Sequence, residues 1–193
     1  MPTAAAPPGG SLLNLPNIIS LARLCAVPVA VWLVLRGAFG PAFGIFAAAG
    51  MSDAIDGWLA RRQGTTTLGA VLDPLADKAL MMGMYVTLAA VDRLPDWLAI
   101  LVVFRDVLIV GGVLLLWMFD QPPTIAPLAI SRANTALQIV LVGTVLGLQA
   151  AGVAAPGVTK ALIWLVTLST LASGAAYVRA AANPARQDTT HGR

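Results

Sequence analysis

An all-α integral membrane protein, with six transmembrane helices and an N-terminal interfacial segment, is the fold class this sequence predicts. Three observations predict it. Of the 193 residues 58% are hydrophobic and only 11% charged, and the mean hydropathy is +0.82; a soluble domain carries roughly 25% charge. Cutting the chain at Pro, Gly and charge clusters leaves six apolar runs, each near the roughly 20 residues that a helix needs to cross a bilayer. The linkers between them are short, which fits one compact helical domain.

In order, residues 1–16 divide into a flexible Pro/Ala/Gly tail, PTAAAPPGGS, and an interfacial segment within SLLNLPNIIS. This tail holds no Lys or Arg, so it lacks the charged leader of a secretory signal, and the first apolar run is expected to be a retained span. The spans are expected at residues 17–36, 40–62, 67–91, 95–119, 132–152 and 157–181. Arg36-Gly37 with Phe39-Gly40-Pro41, Gln63-Gly64, Val91-Asp92-Arg93, a Pro-bearing stretch from Asp120 to Ser131, and Ala151-Gly152 to Gly157 separate them. Together they form a domain over residues 17–181, followed by a polar tail over 182–193. Pro74 lies near the start of the third span, where its missing N–H leaves the Ala70 carbonyl without a helical donor and predicts a kink or fraying.

Charge is scarce: ten Arg, two Lys, nine Asp and no Glu, a net +3. That excess fits a cytoplasmic bias of loops better than a nucleic-acid surface, and no nucleic-acid partner is expected. An even span count puts both termini on one side. Arg61, Arg62, Arg132, Arg179, Arg186 and Arg193 fall on that side, against Arg36, Arg93 and Lys160 on the other, so the termini are assigned to the cytoplasm. The lone Cys25 excludes an intrachain disulfide or a cysteine zinc cluster, and the lone His191 sits in a polar tail. Trp32, Trp58, Trp97, Trp117 and Trp164 mostly fall near span ends, as an aromatic belt does.

Against this background SDAIDGWLARRQGTTTLGAVLDPLADK, from Ser52 to Lys78, is anomalous. Asp53 and Asp56 are three apart and Asp73 and Asp77 four apart, so on helices each pair shares a face, and the Gln63-Gly64 turn opposes the two pairs. An ionised Asp in a membrane helix costs a few kcal/mol, and like charges raise one another's pKa. Lys78 and Arg61 are too few and differently directed to offset four carboxylates. An all-oxygen cluster is the ligand set of Mg²⁺, Mn²⁺ or Ca²⁺, and two such ions balance four carboxylates and clamp a phosphoryl or diphosphate group. Gly57 and Gly69 let a ligand approach backbone, Arg61 supplies a phosphate-shaped fork, and Ala60 keeps the face narrow. A solvated helix end explains one Asp; it does not explain four beside two glycines and an Arg.

Written out, D-x-x-D-G-x-x-A-R, seven residues, then G-x-x-x-D-x-x-x-D resembles the signature of the CDP-alcohol phosphatidyltransferases, with a gap one residue shorter than usual. The length, the interfacial lead-in and Asn14 to Arg23, NLPNIISLAR, are similar to that family too, so the resemblance covers nearly the whole chain. It implies transfer of a phosphatidyl group from CDP-diacylglycerol to an alcohol with release of CMP. By the same resemblance Asp53, Asp56, Asp73 and Asp77 hold two Mg²⁺ or Mn²⁺ ions, Asp77 is also the general base, and Asp53, Asp56, Gly57, Ala60, Arg61 and Gly69 line the CDP part. The implied setting is a bacterial inner membrane, or a mitochondrial one in a eukaryote, with the site facing the cytoplasm. A homodimer is the expected assembly.

For the acceptor, Phe104-Arg105-Asp106-Val107 and Ile130-Ser131-Arg132-Ala133-Asn134-Thr135 resemble the R-D and I-S-K-x-N-T segments of CMP-forming cardiolipin synthases, with Arg132 in place of the usual Lys. That favours phosphatidylglycerol, giving cardiolipin, with glycerol 3-phosphate as the alternative acceptor. Arg105 and Arg132 then contact an acceptor phosphodiester; equally, Arg105 pairs with a carboxylate such as Asp106 and Arg132 caps the membrane edge. Two rival readings remain. A membrane prenyltransferase needs more spans and lacks the G-x-x-A-R continuation, and a small cation or proton transporter has no use for Gly57, Arg61 and Gly69 at these spacings.

Overall fold

The computed structural model describes the backbone of residues 15–63, 69–118 and 129–182, and the side chains of residues 18–52, 74–112 and 130–179. Over these residues the chain forms α1 (Leu15–Leu35), α2 (Phe39–Gln63), α3 (Gly69–Ala90), α4 (Asp96–Met118), α5 (Ala129–Ala151) and α6 (Pro156–Ala182). Every boundary lies within three residues of the corresponding sequence-derived span, because Gly, Pro and charge are what stop a helix in an apolar chain. The expected flexible tail up to residue 14, the turn at 64–68, the proline-bearing stretch at 119–128 and the tail from residue 183 with His191 lie outside the described residues. Pro74 sits inside α3, and the helix continues through it from Gly69 to Ala90.

Among the described residues three helical segments are each long and apolar enough to cross a membrane: Ile18–Leu35, Ile130–Ala151 and Pro156–Arg179. Phe39–Ser52 is a shorter apolar helical segment. α2, α3 and α4 carry the charged motif residues and are described in side-chain detail over only part of their length.

Contacts between helices fix their directions. Along α1 and α3, Arg23 meets Asp77 and Val27 and Val31 meet Gly83, so residue numbers rise together and the two helices are parallel. Along α2 and α5, Phe46 faces Gly143 and Phe43 faces Gly147, an antiparallel pair. α4 and α6 are parallel, with Trp97 against Trp164 at 6.1 Å between ring centroids and Arg105 bonded to Ser173. The result is an up-and-down bundle that puts the end of α2, the start of α3 and the start of α5 at one rim.

At the opposite rim three helices end alike. Gly37, Asp92 and Gly152 take left-handed φ of 72°, 57° and 65° after α1, α3 and α5. Each is followed by an amide that reaches back five residues: Ala38 to Leu33 O at 2.9 Å, Arg93 to Leu88 O at 2.8 Å and Val153 to Leu148 O at 2.9 Å. These bonds satisfy the last helical carbonyls and reverse the chain within a few residues. Arg36 lies over Trp32 and Arg93 over Phe39, each 5.6 Å from the ring centroid, as cations and aromatics pair at a membrane edge.

The core lies between α3 and its neighbours. Met84, Tyr85 and Leu88 of α3 pack with Val34 of α1, Leu98 and Val102 of α4, and Leu141, Val142 and Leu146 of α5, all buried. The outward faces keep large apolar side chains such as Trp32, Ile100, Phe104, Trp164 and Leu168, which suits hydrocarbon rather than water. α1 packs most extensively on α3. Gly83 permits that approach: a Cβ there would stand 3.3 Å from Val31 Cγ2 and 3.4 Å from Val27 Cγ1. Gly83→Val is therefore expected to destabilise the bundle by about 1–3 kcal/mol through overpacking, read as a lowered thermal midpoint in detergent; an unchanged midpoint would show that the contact yields freely.

Candidate active site

The motif residues occupy the rim where α2 ends and α3 begins. Asp53, Asp56, Gly57, Ala60 and Arg61 lie on the last turns of α2, and Gly69, Asp73 and Asp77 on the first turns of α3. Their helical spacing keeps Asp53 with Asp56, and Gly69 with Asp73 and Asp77, on one face of each helix. The side chains of residues 53–73 lie outside the described residues, so the convergence of the four carboxylates does too. Among the described residues no group of three His, Cys, Asp or Glu side chains is gathered. The donor chemistry fits hard divalent cations: four carboxylates at helical spacing and no sulfur or imidazole among them.

The side chain of Asp77 is among the described residues. Its Oδ1 accepts a bond of 2.6 Å from Nη1 of Arg23, whose side chain is 2% exposed against 40% for Asp77. An arginine this deep in an apolar helix requires a carboxylate, since the isolated charge would cost several kcal/mol. Sequence reasoning quoted Arg23 only as the end of the N-L-P-N-I-I-S-L-A-R lead-in and gave it no role. A charged residue inside an apolar span was the signal available.

Deeper in the bundle α3, α4, α5 and α6 share a second charged network. The Asp106 carboxylate accepts from Lys78 Nζ at 3.0 Å on Oδ2 and from Arg105 Nη1 at 2.7 Å on Oδ1. Arg105 Nη2 donates to Ser131 Oγ at 2.7 Å and to Ser173 Oγ, and its guanidinium lies 6.0 Å from the Tyr177 ring centroid. Asn134, fully buried, accepts through Oδ1 from Ser169 Oγ at 2.6 Å and Thr170 Oγ1 at 2.9 Å, joining α5 to α6. Within the I-S-R-A-N-T segment, then, Ser131 and Asn134 tie helices together, Arg132 is exposed, and Thr135 faces a cavity.

That cavity, of about 510 Å³, opens between α2, α3, α4 and α5. Asp77, Lys78, Asp106 and Thr135 line it together with Phe46, Leu80, Met81 and Ile139. Helix direction orders these groups: on α3 the charged pair precedes Leu80 and Met81 by a turn, and on α5 Thr135 precedes Gln138 and Ile139. The charged lining residues thus lie toward the motif rim, and Leu80, Met81 and Phe46 lie farther from it.

Asp106 should be the costliest charge to remove here. Asp106→Ala strands a buried guanidinium and is expected to destabilise by about 3–5 kcal/mol, whereas Arg105→Met with Asp106→Leu removes both charges and should cost much less. Unfolding in detergent compares the two; equal losses would show that the pair contributes through packing alone.

A family model described as CDP-alcohol phosphatidyltransferase matches residues 13–172. A chloroplastic CDP-diacylglycerol–glycerol-3-phosphate 3-phosphatidyltransferase of Oryza sativa subsp. japonica is 36% identical over 184 residues, covering 86% of this chain and 56% of that protein. The CMP-forming cardiolipin synthase of Rattus norvegicus is 34% identical over 185 residues, covering 84% of this chain and 59% of its own. The CMP-forming cardiolipin synthase of Streptomyces coelicolor is 38% identical over 119 residues, covering 58% and 55% of the two chains. The chain thus spans a little over half the length of these relatives.

Proposed function

The chain belongs to the CDP-alcohol phosphatidyltransferase family, and on that premise we propose that it transfers a phosphatidyl group from CDP-diacylglycerol to phosphatidylglycerol, forming cardiolipin and CMP. The observation that carries this reading is the placement of D-x-x-D-G-x-x-A-R at the end of α2 and G-x-x-x-D-x-x-x-D at the start of α3, with Asp77 lining a cavity whose walls are largely apolar. The R-D segment on α4 and the I-S-R-A-N-T segment on α5, together with the cardiolipin synthases among its relatives, support a lipid acceptor. The relative from Oryza sativa supports glycerol 3-phosphate as the second reading.

In the proposed reaction an acceptor hydroxyl oxygen bonds to the phosphorus that bears diacylglycerol. The bond from that phosphorus to the bridging oxygen breaks, and CMP leaves with the electron pair. Asp77 takes the hydroxyl proton. Asp53, Asp56 and Asp73, with Asp77, would hold two Mg²⁺ or Mn²⁺ ions, which supply charge stabilisation for the diphosphate and the departing CMP. Gly57, Ala60, Arg61 and Gly69 seat the CDP part, where small side chains leave room and the guanidinium suits phosphate. Arg132 stands exposed near the start of α5, free to meet an acceptor phosphodiester, and Arg105 serves the acceptor side from within the network that fixes Ser131 and Asp106. The setting is an inner membrane with this rim toward the cytoplasm, and a homodimer is the proposed assembly.

The test is CMP release by purified protein given CDP-diacylglycerol, Mn²⁺ and either phosphatidylglycerol or glycerol 3-phosphate, with the product lipid identified. A cation transporter would release no CMP. Asn at position 77 keeps an oxygen of similar size but takes no proton at neutral pH, so Asp77→Asn should retain CDP-diacylglycerol binding while turnover falls about 10²- to 10⁴-fold. Turnover at the parent rate would remove Asp77 as base, and full recovery in excess Mn²⁺ would leave it a ligand alone.

A further inference from the structure

Lys78 and Gln138 are among the polar groups lining the 510 Å³ cavity that have no part in the chemistry proposed above. Among the described residues Lys78 has Asp106 as its hydrogen-bond partner, so two of the three donors of its ammonium are unused. Its side chain is 38% exposed while lining the cavity, at the level of Asp77. Gln138 lies one turn deeper on α5 and is 2% exposed. Its backbone carbonyl accepts from Tyr85 Oη at 3.4 Å, but its amide Nε2 has no partner among the described residues. A buried amide without a partner in apolar surroundings is costly, and such groups are retained where something else completes them.

Resting on the reading of the chain as a transferase with a lipid acceptor, we infer that this cavity seats the phosphatidyl part of the acceptor, its phosphodiester on Lys78 and an ester carbonyl on the Gln138 amide. Three arguments support it. Lys78 on α3 and Gln138 on α5 line one cavity, with Thr135 a rise of about 4.5 Å before Gln138 on the rim side, so the wall carries polar groups over a depth comparable to the reach from phosphate to ester in a glycerophospholipid. Beyond Gln138 the walls are Phe46, Leu80, Met81 and Ile139, which suit acyl chains and nothing polar. Finally, Lys78 pairs with the carboxylate of Asp106, and the carboxylate of Asp77 lines the same cavity. A phosphodiester with one negative charge matches one shared ammonium, whereas the dianion of glycerol 3-phosphate meets two carboxylates and leaves the apolar floor empty. Lys78 and Gln138 thereby select a diester phospholipid as acceptor.

Binding to the full-length protein in detergent micelles tests this, with dioleoyl phosphatidylglycerol, its diether analogue, glycerol 3-phosphate and CDP-dioleoylglycerol as titrants. The expected result is about tenfold tighter binding of the diester than of the diether, the worth of one hydrogen bond to a buried amide. Gln138→Met should bring the diester down to the diether and leave CDP-dioleoylglycerol unchanged; Lys78→Gln should weaken both forms of phosphatidylglycerol alike. Equal binding of diester and diether by the parent protein overturns the inference without any variant. So does a preference that survives in Gln138→Met, or one seen on CDP-dioleoylglycerol instead, which would make the cavity the donor's. CMP release measured in parallel reports on the transferase reading alone: its absence with every acceptor would sink that reading, while the diester preference would stand or fall by the binding data.

Discussion

Asp106 holds two cations at once, and much of the bundle depends on that arrangement. In an apolar interior a lone guanidinium is not tolerable, so Arg105 can lie at the centre only because a carboxylate follows it in sequence and two hydroxyls reach it from α5 and α6. One fork-shaped group therefore fixes the relative position of three helices. The second oxygen of the same carboxylate takes Lys78 from α3, which brings in the helix bearing the motif aspartates. Coulomb attraction in low dielectric sets the geometry, and apolar packing around Met84, Tyr85 and Leu141 fills the rest.

The same constraint acts at the rim between α1 and α3. Arg23 is almost wholly buried and Asp77 half-exposed, so the pair is asymmetric: the arginine needs the carboxylate more than the carboxylate needs the arginine. Gly83, six residues on, admits Val27 and Val31 to close range and keeps α1 against α3. Backbone proximity set by a glycine and charge pairing set by an arginine thus position one carboxylate from the side opposite the cavity. A residue proposed to take a proton benefits from such support, because a base displaced by an ångström loses most of its advantage.

The helices and their order were legible in the sequence because membrane spans are written in a coarse alphabet: long apolar runs, with Gly, Pro and charge as punctuation. The rim carrying the aspartates was legible too, since the turn signal at Gln63-Gly64 puts D-x-x-D-G-x-x-A-R at the end of one helix and G-x-x-x-D-x-x-x-D at the start of the next. Partners across helices were not. Arg105 beside Asp106 could be foreseen as a pair from adjacency, but Ser173, some 68 positions away, could not. Arg23 was hidden for another reason: its partner lies 54 positions on, and only the parallel docking of α1 on α3 brings the two together. Lys78 pairs with Asp106 on α4, a partner 28 positions away that three-residue and four-residue spacing within one helix cannot reveal.

Gln138 shows how a membrane bundle keeps polarity at depth without paying for it in every state. Asn134, one turn earlier on α5, fastens α5 to α6 through its carbonyl, which two hydroxyls of α6 satisfy, while its amide nitrogen, like that of Gln138, meets no described residue. Gln138 lines the cavity, with an amide nitrogen that no described residue meets. Four residues apart, the two amides lie within about 40° of one another around α5, yet of the two only Gln138 lines the cavity. Aliphatic residues at both positions would make a better-filled bundle. Of the two unpartnered amides, Gln138 is the one that a hydrogen-bond acceptor entering the cavity can complete, and the apolar walls of Phe46, Leu80 and Met81 favour an acceptor that carries hydrocarbon with it.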